Sequence, residues 1–123
     1  MKQEKPVAKK LEANLEFLKD RLGYEVTFDL LIREFSIGGK KAALVFLDGF
    51  VNDVAVIEVM KRLMNVPRGG LTVNAAEHVL NEYLPFFEVS FVEDIVEATD
   101  EVLAGPMLLL IDGLTKIFVV DVR

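Results

Sequence analysis

Two apolar runs, "AALVFLDG" at residues 42–49 and "MLLLIDG" at residues 107–113, constrain this chain more than any other feature. Each holds at least five consecutive apolar residues and stops at Asp-Gly. Short apolar runs bounded by turn residues read as strands, because a helix needs a longer segment and a 3.6-residue period. The Asp-Gly ending has two physical explanations. Carboxylates at strand ends hold metal ions or phosphates in many α/β proteins, and Asp-Gly also satisfies the backbone of a tight turn.

The segments around these strands alternate in period. Val7, Leu11, Leu15, Leu18 and Leu22 fall on one helical face, with Pro6 suited to the first helical position and Gly23 to a left-handed stop. Residues 28–37 turn β-like, and Gly38-Gly39 permits a reversal into the first apolar run, so the two are expected to form an antiparallel hairpin. Beyond Asp48-Gly49, Asn52 or Asp53 is placed to cap a helix carrying Val54, Ile57, Met60 or Lys61, and Met64 at helical spacing. A further helix is expected from the capping-box spacing of Asn74 and Glu77, closed by Pro85.

Phe87, Val89 and Phe91 then alternate with Glu88 and Ser90 as a half-buried strand. Ser90 and Glu93 repeat the capping-box spacing ahead of a helix whose buried stripe is read as Val92, Ile95, Val96, Thr99, Val102 and Leu103. Gly105-Pro106 ends it. The last run and "KIFVV" read as a hairpin closed by a two-residue Asp112-Gly113 loop. The whole predicts a single α/β domain over residues 1–123: a mixed sheet of about five strands, two hairpins and about four packed helices.

Composition narrows the function. With 52% apolar residues, 123 residues can bury one core. Twenty acidic against 14 basic residues give a net charge of -6, and no basic patch stands out, so nucleic acid is not an expected partner. The absence of cysteine excludes thiolate metal sites, thiol nucleophiles and disulfides. Residues 102–111 form the longest apolar-rich run, interrupted by Gly105 and Pro106 and short of the roughly 18 residues that span a bilayer. The charged N-terminus does not resemble an export signal.

No complete catalytic set follows from the residues. Asp48 and Asp112 are the candidate metal or phosphate acids, but neither is followed by a third carboxylate at ligand spacing, and "PRGG" at residues 67–70 lacks the lysine-hydroxyl ending of a phosphate loop. Turn geometry is the better account of both. His78 is the sole histidine and reads as a helix-surface residue, and Tyr24 and Tyr83 read as packing residues. Arg33 interrupts an apolar strand and is read as a same-face ion pair with Asp29, or else as an anion or partner contact. "GGKK" at residues 38–41 reads as a solubilising hairpin tip, with a small anion nest as the sharper alternative.

A family pattern emerges from the longer stretches. "NLEFLKDRLGYEVTFDLLIREF" followed by "GKKAALVFLDGFVND" resembles the start of the cytosolic N-terminal region of GerA-family spore germination proteins. Asn14, Leu18, Gly23, Asp29, Arg33, Asp48, Gly49 and Asp53 carry that pattern. "EVLAGPMLLLIDG" and "VVDVR" resemble its later part through Asp112, Gly113 and the closing arginine, while residues 66–89 are the least characteristic. Arg33, Asp48, Gly49, Asp53, Asp112 and Gly113 are accordingly the expected turn or interaction positions.

The resemblance implies the first of two N-terminal α/β subdomains of a longer membrane protein, at the cytoplasmic face of the spore inner membrane. It further implies a non-enzymatic assembly or sensing role in a receptor or ion-conducting complex, with other complex subunits as partners, a homo-oligomer in the intact protein, and membrane attachment through a part absent from this sequence. No cofactor and no metal are expected. Two other readings stay open: a small metal- or phosphate-dependent enzyme using Asp48 and Asp112, and a regulatory domain of the sulfate-transporter and anti-sigma-antagonist type, since "IDGLT" resembles its phosphorylated turn at Thr115.

Overall fold

A computed structural model describes residues 4–22 and 30–122. The elements are α1 (Leu11–Leu22), β1 (Leu30–Ile37), β2 (Lys40–Leu47), α2 (Asp53–Leu63), α3 (Ala76–Tyr83), β3 (Glu88–Val92), α4 (Ile95–Leu103), β4 (Met107–Ile111) and β5 (Ile117–Asp121). The five strands form one sheet in the order β1-β2-β4-β5-β3. Strand and helix numbers agree with the sequence expectation, as do the β1–β2 and β4–β5 hairpins. Every strand pair is antiparallel, however, where a mixed sheet was expected.

The two apolar runs occupy the middle of the sheet, and the helices lie on both of its faces. On β2, Ala42, Leu44 and Phe46 pack with Val56, Val59 and Leu63 of α2 and Leu80 of α3. Ala43, Val45 and Leu47, one residue out of phase, pack with Leu11, Leu15 and Leu18 of α1 and Ile95, Ala98 and Val102 of α4. Successive side chains of a strand point to opposite faces, so a strand covered on both sides must be apolar throughout. That is the physical origin of the uninterrupted runs. Burying a leucine such as Leu44 or Leu109, both at zero exposure, stabilises the fold by about 1.5–3 kcal/mol each. The outer strands β1 and β3 carry exposed Arg33, Glu34 and Glu88, charges that discourage further strand addition.

Several local expectations change in the tertiary context. Pro6 does not start α1; it lies in an extended segment bridged to Asp94, with Val7 N–H donating to Glu93 O at 3.1 Å and Ile95 N–H to Lys5 O at 2.8 Å. Asn14, buried inside α1, pins this segment with two bonds of 2.8 Å, its amide donating to Ala8 O and its carbonyl accepting from Ala8 N–H. Gly23, Tyr24 and Asp29 lie outside the described residues. Gly38 and Gly39 make the expected two-residue turn with φ of 58° and 87°, the paired positive values of a type I′ hairpin.

Helix caps are corrected in the same way. Of the two residues placed to cap α2, Asn52 does so, accepting from Val54 N–H and Ala55 N–H at 3.0 and 3.2 Å. Neither capping box forms. The residue before α3 is Ala75, without a side-chain cap, and Asp94 rather than Ser90 caps α4 by accepting from Val96 and Glu97 N–H at 2.8 and 3.1 Å. On α4, Leu103 is exposed and Ala98 takes its place in the buried stripe.

Candidate functional site

The six positions singled out from sequence do not converge. Asp112 N–H donates to Lys41 O at 2.8 Å, which puts Asp112 beside the first residues of β2. Asp48 follows the last residue of β2. At about 3.4 Å per residue, the seven steps from Lys41 to Asp48 separate the two positions by about 24 Å along the strand direction. They cannot share an ion, and among the described residues no group of three acids or histidines is placed to hold one. The paired-acid enzyme reading is therefore overturned by strand direction alone.

Each Asp-Gly serves a turn, and the two turns differ. Gly49 and Gly113 both take positive φ, 85° and 92°. After Asp48 the chain turns, with Phe50 N–H donating to Leu47 O at 3.2 Å, and enters α2 through the Asn52 cap; Asp48 itself is exposed. The turn at Asp112 is not a two-residue hairpin loop. Residues 112–116 connect β4 to β5, and the Asp112 carboxylate instead reaches across to cap α1, accepting from Leu11 N–H at 2.8 Å. Gly113 N–H donates to Lys9 O at 2.7 Å, adding a second tie to the same helix entrance.

The remaining candidates fall into place singly. Asp53 is the first residue of α2, where a negative charge complements the helix dipole. Arg33 stands on β1 between the half-buried Leu31 and Phe35, exposed and with no ion pair among the described residues. His78 is exposed on α3, 3.8 Å from Glu82. Tyr83 packs against the core. Thr115 lies exposed in the β4–β5 connection and not at the start of a helix, so it lacks the structural context of the anti-sigma-antagonist turn.

One surface was missed altogether. Val54 and Ile57 on α2 and Met64 at its C-terminal cap were read as following helical spacing with Met60 or Lys61, yet the three are 76%, 53% and 61% exposed. The buried face is Val56, Val59 and Leu63. The two stripes have equivalent periodicity, so spacing alone could not rank them. Lys61, at the same helical spacing as the outer stripe, is exposed and has no ion pair among the described residues. Phe50, 46% exposed, precedes the helix.

The described residues form a three-layer α/β/α domain in which Asp48 and Asp112 stand apart and an apolar series on α2 faces outward. Residues 16–123 match the family described as Bacillus/Clostridium GerA spore germination protein, and the chain belongs to that family. It is 27% identical over 110 residues to stage V sporulation protein AF of Bacillus subtilis (strain 168), covering 89% of this chain and 22% of that protein. Its fold matches the crystal structure of the N-terminal domain of the A subunit of the Bacillus megaterium spore germinant receptor GerK3, with a TM-score of 0.82 and 24% identity, covering 99% of this chain and 49% of that one. The chain thus spans about a fifth of the curated relative and half of the solved domain. Among the described residues, no helix is long and apolar enough to cross a membrane.

Proposed function

We propose that this domain is a non-enzymatic assembly module of a spore germination membrane protein, acting as the first α/β subdomain of its N-terminal region at the cytoplasmic face of the spore inner membrane. The observation that carries this reading is the outer face of α2, where Val54, Ile57 and Met64 stand exposed around Lys61. Exposed apolar stripes on a well-packed domain mark interaction surfaces. Its occupant is another subunit of the germination complex, presenting an apolar surface with a carboxylate opposite Lys61. A second subunit fits because the solved relative is itself described as the A subunit of a receptor. Homo-oligomerisation of the intact protein belongs to the same reading, with other regions of the protein forming the membrane part.

The test is site-specific photocrosslinking in the intact protein, with the probe at Ile57 and, as a control, at exposed Glu12 on α1. The expected result is an adduct at Ile57 with a second germination-complex subunit identified by peptide mapping, and none at Glu12. An adduct with another copy of the same chain, equal adducts from both positions, or no adduct at Ile57 would overturn the assignment of this face.

A further inference from the structure

Two glycine-rich basic segments that are far apart in sequence meet at one end of the sheet. Gly38-Gly39-Lys40 forms the β1–β2 turn, and Pro67-Arg68-Gly69-Gly70 follows α2. Gly69 N–H donates to Gly38 O at 3.1 Å, and the Arg68 side chain runs over Gly39 so closely that a Cβ there would sit 3.2 Å from Arg68 Cγ. A Cβ on Gly38 would lie 2.9 Å from Pro67 O. These contacts leave room for no side chain at Gly38 and little at Gly39, and beside them lies a groove of about 560 Å³ lined by Gly39, Lys40, Arg68, Leu71, Thr72 and Val73.

From this groove we infer a binding site for a phosphate group. Lys40 and Arg68 supply a point charge and a planar guanidinium, the pair best suited to phosphate oxygens. Thr72 adds a hydroxyl, and the N–H groups of Gly39, Thr72 and Val73 donate to no described residue. Neither cation has an ion-pair partner among the described residues. Strand phase keeps the nearby Asp112 away: Lys40 shares the face of Ala42 and Leu44, over which α2 and α3 pack, whereas Asp112 is engaged with Leu11 on the α1 side. The site is thus a cationic spot on a chain of net charge -6. Unneutralised positive charge in a concave, glycine-lined surface is the arrangement that binds phosphate in backbone nests. Val73, 58% exposed at the rim, gives the groove one apolar wall.

The phosphate can be free or the headgroup of an anionic lipid, and one experiment separates them. The isotope-labelled 123-residue chain is titrated with inorganic phosphate, and separately with phosphatidylglycerol and phosphatidylcholine vesicles, following backbone amide resonances. Saturable shifts confined to residues 38–40 and 68–73 with inorganic phosphate assign a soluble ligand. Binding to phosphatidylglycerol vesicles alone assigns a lipid headgroup. In either arm the Lys40→Ala/Arg68→Ala double variant should lose at least about ten-fold in affinity, with Arg33→Ala unchanged. Arg68→Gln, which keeps the carbon stem over Gly39 and removes the charge, serves as the second variant should the double variant lose its native amide spectrum, and should itself weaken binding. Absence of saturable shifts in both arms, equal binding to phosphatidylcholine, shifts centred elsewhere, or a folded variant that binds like the parent would overturn the site.

Discussion

The Asp112 carboxylate accepts a hydrogen bond of 2.8 Å from Leu11 N–H, joining residues 101 positions apart. A residue that belongs locally to a strand connection is, in three dimensions, a cap for the first helix. Helix N-termini leave backbone donors unsatisfied, and a carboxylate supplies both an acceptor and a favourable charge against the dipole. Removal of this carboxylate in Asp112→Ala should cost about 0.5–2 kcal/mol in urea unfolding. Asp48→Ala, at the other Asp-Gly, should stay within about 0.5 kcal/mol of the parent because that side chain is exposed. Equal losses at the two positions would refute the distinction between them.

Asn14 should be less replaceable than its place in a helix implies. It satisfies both the N–H and the C=O of Ala8 while itself being 3% exposed. Asn14→Leu leaves both groups without their partner, at a cost of about 1–3 kcal/mol for each unsatisfied group that stays buried. Hydrogen exchange at the Ala8 amide should accelerate together with the loss in unfolding free energy; unchanged exchange at Ala8 would argue against the pinning role.

The two stripes of α2 should separate stability from assembly. Leu63→Ala, on the core side, is expected to lose about 2–5 kcal/mol through the cavity it leaves. Ile57→Lys, on the outer side, should change unfolding free energy by no more than about 0.5 kcal/mol while abolishing the proposed subunit contact in the intact protein. Thermal or urea unfolding of both variants provides the comparison, and a strongly destabilised Ile57→Lys would place that residue in the core after all.

Gly38→Ala probes the approach of the hairpin to the segment after α2. The residue has φ of 58°, and its Cβ would press on Pro67 O. A loss of about 1–3 kcal/mol is expected from the combined backbone and steric cost. Gly69→Ala has a positive φ of 80° but nothing within 4 Å of the added carbon, so its cost should be the smaller of the two. The reverse order in urea titrations would contradict the close packing of these loops.

Strand positions were readable in advance because their cause is local to the run. A strand buried on both faces must be apolar at every position, as residues 42–47 and 107–111 are, and Gly38-Gly39 admits a tight reversal that few other residues tolerate. The Asn52 cap was equally local, since donor and acceptor are two and three residues apart. Family membership also followed from the order of such pieces along the chain.

What the sequence by itself determined, then, was the set of elements, the Gly38-Gly39 turn and the start of α2, because period and short-range turn chemistry act over a few residues. Tertiary structure alone decided the direction of β2 relative to β4, which separates Asp48 from Asp112 and leaves each with a turn instead of a shared ion. It also decided which of two equivalent stripes on α2 faced the core, and it brought Arg68 over Gly39. Those outcomes depend on which surfaces the sheet offers once five strands have paired, a long-range condition that no window of the sequence contains.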